Sequence, residues 1–190
     1  MNTKKRRILI AALLVACLAI TGMGSLAYFS AEGTAHNVIT SGSIKSELKE
    51  WADEEKTVPF PEEGIQNVMP GDEVTKIVEL TNTGTGTAWV RMKVEKAITL
   101  AEGQVGEVNL EVVKLNIDTE KWTEKDGWFY YTEPLQPGDT TAPLFTVVSF
   151  DVNMSNLYQK CTATVDVTAQ SVQAAHNGEN ALEAAGWPEG

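Results

Sequence analysis

The chain has 190 residues, a formal net charge of −11 and 43% hydrophobic residues. Proteins bind nucleic acids and anionic lipid surfaces through basic patches. A composition this acidic therefore predicts no nucleic-acid partner. The length suits one domain with its own hydrophobic core. Only two cysteines are present, so a fold held together by disulfides is excluded as the main source of stability.

Residues 1–27 have the three parts of a cleavable secretory signal. Four basic residues at positions 4–7 precede an apolar run from Ile8 to Ile20, and Ser25-Leu26-Ala27 supplies the small residues of a cleavage site. We therefore expect cleavage between Ala27 and Tyr28. The mature protein would be secreted, and it would contact the membrane only through the signal before cleavage.

Two alternatives to cleavage rest on the same segment. The uncharged stretch from Ile8 to Ser30 is nearly long enough for an uncut anchor, since about 20 apolar residues span a bilayer. Cys17 follows a small residue, as at a bacterial lipoprotein site, and lipidation there would tether the mature chain. If cleavage occurs after Ala27, 11 basic and 26 acidic residues remain, a formal charge of −15.

Alternation of apolar and polar residues predicts an all-β fold. Ala88–Glu95, Leu144–Val152 and Cys161–Gln170 show the period of two that is typical of half-buried strands. Weaker strand candidates are Ser43–Leu48, Val74–Asn82, Val108–Ile117 and Trp128–Thr132. Turn sequences separate these segments, so we expect a jelly-roll-like antiparallel β-sandwich. Residues 43–190 would form this domain, after an extended segment at 28–42.

Two Pro-Gly-Asp triplets, Pro70-Gly71-Asp72 and Pro137-Gly138-Asp139, precede strand candidates. Proline and glycine suit the two central positions of a type II turn, so we expect tight turns at strand entry. Ca²⁺ binding by Asp72 and Asp139 is the alternative, although their spacing does not match a known calcium loop.

The remaining elements are short. The sequence predicts one helical turn at Ser155–Lys160 and a short helix at Glu179–Ala185 capped by Asn177. Glu50–Glu63 is acidic and contains proline, so it is predicted to be a long loop. Cys161 falls on the apolar face of its strand, where a free cysteine behaves as a small hydrophobic residue.

Residue types that carry catalysis are scarce. The two histidines, His36 and His176, lie in no zinc-ligand pattern, and phosphate-binding and nucleophile motifs are absent from the sequence. We therefore predict no catalytic residue, no metal ligand and no cofactor.

The signal junction resembles a known family. Ser25-Leu26-Ala27-Tyr28-Phe29-Ser30 is followed by Asn37-Val38-Ile39-Thr40-Ser41-Gly42-Ser43-Ile44, a pattern similar to the TasA and camelysin family of Gram-positive bacteria. Further segments that resemble the core of this family are Pro70–Leu80, Asn82-Thr83-Gly84, Trp89-Val90-Arg91, Gly127–Leu135, Pro137-Gly138-Asp139 and Gln170–Ala174.

The resemblance implies a jelly-roll fold, cleavage by a dedicated type I signal peptidase, and a secreted protein of the extracellular matrix or cell surface. Several family members build biofilm fibres, in which the mature N-terminal segment is donated as a strand to the next subunit. In this chain the donor would run from Tyr28 to about Thr40, with Phe29, Val38 and Ile39 filling the acceptor groove. Partners would then be further copies of the chain or another matrix subunit.

The leading hypothesis is therefore a secreted, non-enzymatic structural protein that assembles into fibres through sheet edges. One alternative is a monomeric adhesion domain that binds a ligand through exposed Trp51, Trp122 or Trp187. The other is a metallo-endopeptidase of the camelysin type, an activity for which the sequence supplies no recognisable zinc ligands.

Overall fold

The structure is a computed structural model that describes the backbone of residues 38–40 and all atoms of residues 44–188. These residues belong to one compact unit, His36–Gly190. The predicted signal at 1–27 and its predicted cleavage site between Ala27 and Tyr28 lie outside the described residues.

Ten strands and two short 3₁₀ helices form in the described part of the chain, which confirms the predicted all-β class. The strands are β1 (Val38–Thr40), β2 (Ser46–Trp51), β3 (Glu73–Thr75), β4 (Ile77–Asn82), β5 (Ala88–Thr99), β6 (Val113–Leu115), β7 (Trp122–Lys125), β8 (Trp128–Tyr131), β9 (Val147–Phe150) and β10 (Thr162–Gln173), and the 3₁₀ helices are η1 (Leu110–Val112) and η2 (Asn156–Tyr158).

The strands form three sheets arranged as a sandwich. One sheet has the order β1-β10-β5-β8-β7, and it faces the pair β2-β4 and the triplet β3-β9-β6 across the core. All strand pairs are antiparallel except β1 with β10. The segment after Asp139 continues the second layer, since Thr141 N–H donates to Leu80 O and Leu144 N–H donates to Val78 O.

Period-two alternation accounts for the core. The inward residues of β10 are at most 5% exposed, and they pack with inward residues of β4, β5 and β9 in one cluster. Representative members are Val78, Leu80, Val90, Met92, Val148, Ala163, Val165 and Val167.

Both Pro-Gly-Asp triplets form the predicted turns. Gly71 has φ +83° and Gly138 has φ +87°, the conformation that the third position of a type II turn requires. Asp72 N–H donates to Met69 O at 3.1 Å, and Asp139 N–H donates to Gln136 O at 3.1 Å. The Asp72 carboxylate also accepts from Met69 N–H, so it stabilises its own turn.

The C-terminal prediction was wrong. Glu179–Ala185 forms turns instead of a helix, and Asn177 is no helix cap. The Asn177 amide instead donates to Gln173 O and Ala185 O, and its side-chain oxygen accepts from Ala185 N–H. One side chain therefore closes this segment into a loop, which removes the need for helical hydrogen bonds.

Two other segments differ from the sequence-based expectation. The strand predicted over Val74–Asn82 is interrupted at Lys76, where the chain passes from the β3 ladder to the β4 ladder. Within Val108–Ile117, η1 precedes the strand, and only Val113–Leu115 forms β6. The helical turn predicted at Ser155–Lys160 is confirmed as η2, in which Ser155 Oγ accepts from Leu157 N–H.

The interruption at Lys76 places a charged pair inside the protein. Lys76 Nζ lies 3.0 Å from Glu50 Oε2, and the two side chains are only 4% and 7% exposed. The same ammonium lies 4.1 Å from the centre of the Phe60 ring, a cation–π distance. Taking two charges out of water costs free energy, which this close pairing offsets.

We expect Lys76→Met to lower the free energy of unfolding by about 3–5 kcal/mol, because it removes the ammonium that lies 3.0 Å from the buried Glu50 carboxylate. Urea unfolding of the mature chain, followed by tryptophan fluorescence, measures this loss. Lys114→Met is the matched control, since the Lys114 side chain is 59% exposed in its pair with Asp151 and should leave the midpoint near that of the parent. Equal midpoints for the two variants would contradict the prediction.

Cys161 is fully buried at the start of β10, as expected for a small hydrophobic residue. Burial raises the pKa of its thiol above the ordinary value, which lowers the fraction of reactive thiolate at neutral pH. A chain that begins at Tyr28 contains no other cysteine. We expect a thiol reagent to modify the folded protein at least about 100-fold more slowly than the urea-unfolded chain, because modification must wait for a costly opening. Comparable rates in both states would contradict this.

Candidate strand-docking site

The long strand β10 presents two different edges. Along one edge all twelve residues pair with β5, from Thr162 opposite Thr99 to Gln173 opposite Ala88. The other edge carries short partners only. At its start, Ile65 and Ala163 exchange two backbone hydrogen bonds of 2.8 and 2.9 Å, and Val68 N–H donates to Cys161 O. This second edge is where a further strand can be added.

β1 occupies the far part of that edge. Val38, Ile39 and Thr40 run parallel to Ala169, Gln170 and Ser171. The segment predicted as a donor strand is therefore extended and paired where it is described, on the chain's own β10. The role of Val38 and Ile39 as groove fillers in a neighbouring copy stays a prediction, and Phe29 lies outside the described residues.

Between the Ile65 bridge and β1, the described residues place no strand beside Thr164–Thr168. Backbone groups of a strand alternate between its two edges, and Ala163 turns its N–H and C=O toward Ile65. Val165 and Val167 therefore present theirs to the same edge. Edge groups beside which no described strand is placed can serve as a template for another strand.

The second layer comes close to this edge through β2. Ser46 Oγ lies 2.9 Å from Ser171 Oγ, and Ser171 is fully buried. This hydroxyl pair links the first residue of β2 to the position on β10 that faces Thr40. The edge of β10 that lies opposite β5, which we call the docking edge, is therefore approached by β2 near Ser171.

The outer face of β10 is covered by the C-terminal segment, residues 174–188. Trp89, Tyr130, Val172, Ala181 and Ala184 form a second buried cluster there, and Trp187 packs against it.

Arg91 fixes this cover in place. Its guanidinium lies 4.1 Å from the Trp128 ring centre and 4.6 Å from that of Trp187, so it is held between two indoles. It also donates two hydrogen bonds, of 2.7 and 2.9 Å, to Gln170 Oε1, and Gln170 donates to Pro188 O. Gln170 is fully buried, and sequence alternation gave no indication of this network because its members lie on separate strands and in the C-terminal segment.

The tryptophans proposed for ligand binding do not form one exposed site. Trp122 is 1% exposed, its ring lies 4.9 Å from that of Tyr131 at a tilt of 50°, and it donates to Ala142 O, so its predicted exposure was wrong. Trp51 donates to Glu79, which also pairs with Lys56. Trp187 packs on Arg91 and Tyr130. Each indole is thus committed to the protein's own packing or hydrogen bonding.

Within residues 44–188, no group of three or more His, Cys, Asp or Glu side chains is placed to hold a metal ion. His176, the only histidine in this range, is exposed in a turn after β10. The described donor set does not fit a catalytic zinc, and no step through a metal follows from it. Neither Asp72 nor Asp139 belongs to such a group.

No helix among the described residues has the length and apolar character needed to cross a membrane.

The comparisons with known proteins identify a family. No curated protein and no solved structure matches the chain significantly. The family model described as camelysin metallo-endopeptidase matches residues 3–121, a range that begins in the predicted signal and extends through β6. The match covers more than half of the sequence and agrees with the resemblance at the signal junction. The chain therefore belongs to the camelysin family, which includes TasA.

Proposed function

We propose that the chain is a secreted, non-enzymatic structural protein of the bacterial cell surface or biofilm matrix, and that its copies assemble by N-terminal strand donation. The observation that carries the proposal is the pairing of β1 with the edge of β10, next to a stretch beside which the described residues place no strand. Family membership supports the matrix role, because the family includes TasA. The signal in residues 1–27 supports secretion.

Strand donation uses backbone hydrogen bonds that any extended segment can make. An added strand gains partners for its N–H and C=O groups at the edge, and alternate side chains enter the groove. Since Val38–Thr40 already pairs with its own β10, the part of the donor that is left for a neighbouring copy is Tyr28–Asn37. The stretch Thr164–Thr168 is an acceptor edge for it.

Donation from each copy to the next produces a filament. The donating segment and the accepting edge are different surfaces, so the contact is heterologous and leaves a free donor and a free acceptor at the two ends. The formal charge of −15 on each mature copy opposes association. Salt screens this repulsion over about 8 Å at physiological ionic strength, so assembly should be favoured as salt rises.

We expect the mature chain from Tyr28 to form filaments with rising concentration, and a chain that begins at Val38 to stay monomeric. The shorter chain keeps β1, so its fold should be intact, which circular dichroism checks. Light scattering and electron microscopy measure assembly at physiological salt. A third chain, in which Tyr28–Asn37 is replaced by ten Gly and Ser residues, separates the need for this sequence from the need for length.

Monomers of the mature chain at every concentration would overturn assembly by self-association. Filaments from the chain that begins at Val38 would instead show that assembly does not need the donor segment.

The family's name favours one other function, a metallo-endopeptidase. We expect purified mature protein to hold no stoichiometric zinc and to leave casein uncut, because the described residues supply no ligand set for a metal. Elemental analysis and a casein digest measure the two properties. Cleavage that a chelator abolishes would establish the peptidase and overturn the non-enzymatic part of the proposal.

A further inference from the structure

Exposed apolar side chains are concentrated at one end of the sandwich. Six large apolar residues are exposed in the described part of the chain, and four of them belong to the loops at the start of β10. We call these four residues the apolar end: Met69, Val105, Leu110 and Val152. Two of them are unusually exposed, Val105 at 93% and Val152 at 72%. Single exposed apolar residues are common, but a group of them on adjoining loops marks an interaction surface.

The first contacts that unite the apolar end join the turn at Met69 to the loop after β9. A Cβ atom added at Gly71 would lie 3.2 Å from Val152 Cγ1, so the turn packs directly against Val152. Asp151 N–H donates to Val112 O at 2.9 Å, which brings η1, and with it Leu110, beside the same loop.

The remaining contacts complete a ring. A Cβ atom added at Gly106 would lie 2.9 Å from the Leu157 side chain, and Asn109 N–H donates to the Tyr158 hydroxyl at 2.9 Å. The loop that carries Val105 therefore packs on η2. Cys161 N–H donates to Tyr158 O, and Cys161 O accepts from Val68 N–H, which returns the ring to the residue before Met69.

The first residue of β1 is directed toward this end. β10 starts beside the ring at Thr162, and β1 runs parallel to it, with Val38 opposite Ala169 and Thr40 opposite Ser171. Val38 is therefore the end of β1 that faces the apolar end. The ten mature residues Tyr28–Asn37 precede it, and fully extended they reach at most about 36 Å. Ala169 lies seven residues from Thr162, about 23 Å along the strand, so a segment of this length can bring a neighbour that accepts it against the apolar end.

We propose that the apolar end packs against the body of a second copy of this chain, the copy that accepts Tyr28–Asn37. This inference rests on the proposed function and adds to it a second contact beside the donated strand. Burial of exposed apolar area favours association without adding charge between two copies that repel each other. The Asp151 carboxylate beside Val152 is already paired with Lys114 at 2.6 Å, so this charge is compensated within each copy.

The test uses the mature chain with Val105→Asp and Val152→Asp together, and Val58→Asp as the matched control. Val58 is also exposed, at 52%, but it lies on the loop after β2, where its backbone bonds to Ala52 and Asp53. We expect the double variant to raise the concentration needed for assembly by about tenfold or more, which corresponds to the loss of one good interface contact. Val58→Asp should assemble at a concentration near that of the parent. The thermal midpoints of both variants should also stay near that of the parent, since exposed substitutions change stability little.

The outcomes separate the two proposals. Assembly of the double variant at the parent's concentration, with dependence on Tyr28–Asn37 retained, would overturn the apolar end as an interface and leave strand donation standing. An equal loss in Val58→Asp would reduce the effect to added charge and would also overturn the inference. A parent chain that stays monomeric would overturn strand donation, and the apolar end as a contact between copies with it.

Discussion

The antiparallel ladder between β5 and β10 is the constraint on which the other parts of the structure depend. Twelve consecutive residue pairs fix the register, so one face of both strands is committed to the core and the other to the outside. A slip of β10 by one residue against β5 would turn Val165 and Val167 out of the core, while Val90 and Met92 on β5 would stay in it. The same ladder commits one edge of β10 entirely and leaves the opposite edge to short partners.

The outer face of this ladder is finished by polar chemistry. Gln170 and Arg91 are opposite each other in the register, and both would be unsatisfied if they were simply covered by apolar chain. The hydrogen bonds between them, and the two indoles that enclose the guanidinium, convert a charged position into a packing site for Trp187. The C-terminal segment is therefore bound by specific polar and cation–π contacts as well as by apolar area. On the other layer, the buried Lys76–Glu50 pair likewise places compensated charge inside the protein.

Local alternation was sufficient to predict the parts of the fold that repeat with period two. Alternation found β5 and β10 because each has a continuous apolar face. The two Pro-Gly-Asp turns were found from residue type, because proline and glycine determine their backbone. Alternation missed β7, in which Trp122 is the only buried residue, and it took Trp122 for an exposed residue because charged residues surround it in sequence. It could not predict burial of Lys76, since Glu50 lies far away along the chain.

The docking edge was predicted in part. The extended segment Val38–Thr40 was expected from its resemblance to a donor strand, but its partner was not, because a parallel pairing between the first and last strands leaves no local trace in either. The ladder with β5 that occupies one edge of β10 is likewise a property of tertiary structure. Edges and long-range ion pairs are set by which strands meet, and a single sequence does not contain that information in a local pattern.

The pairing of β1 with β10 also bears on the export that we propose for this chain. A chain that crosses the membrane from its N-terminus exposes β1 first and β10 last, so β1 gains its partner only when nearly the whole chain has emerged. β5, which depends on the same strand, waits equally long. Folding of the main sheet is thus a late, concerted event governed by contacts between distant parts of the chain, and such contacts are slow to form. Under the proposed export, the N-terminal strand would remain available throughout that interval to any other sheet edge at the cell surface.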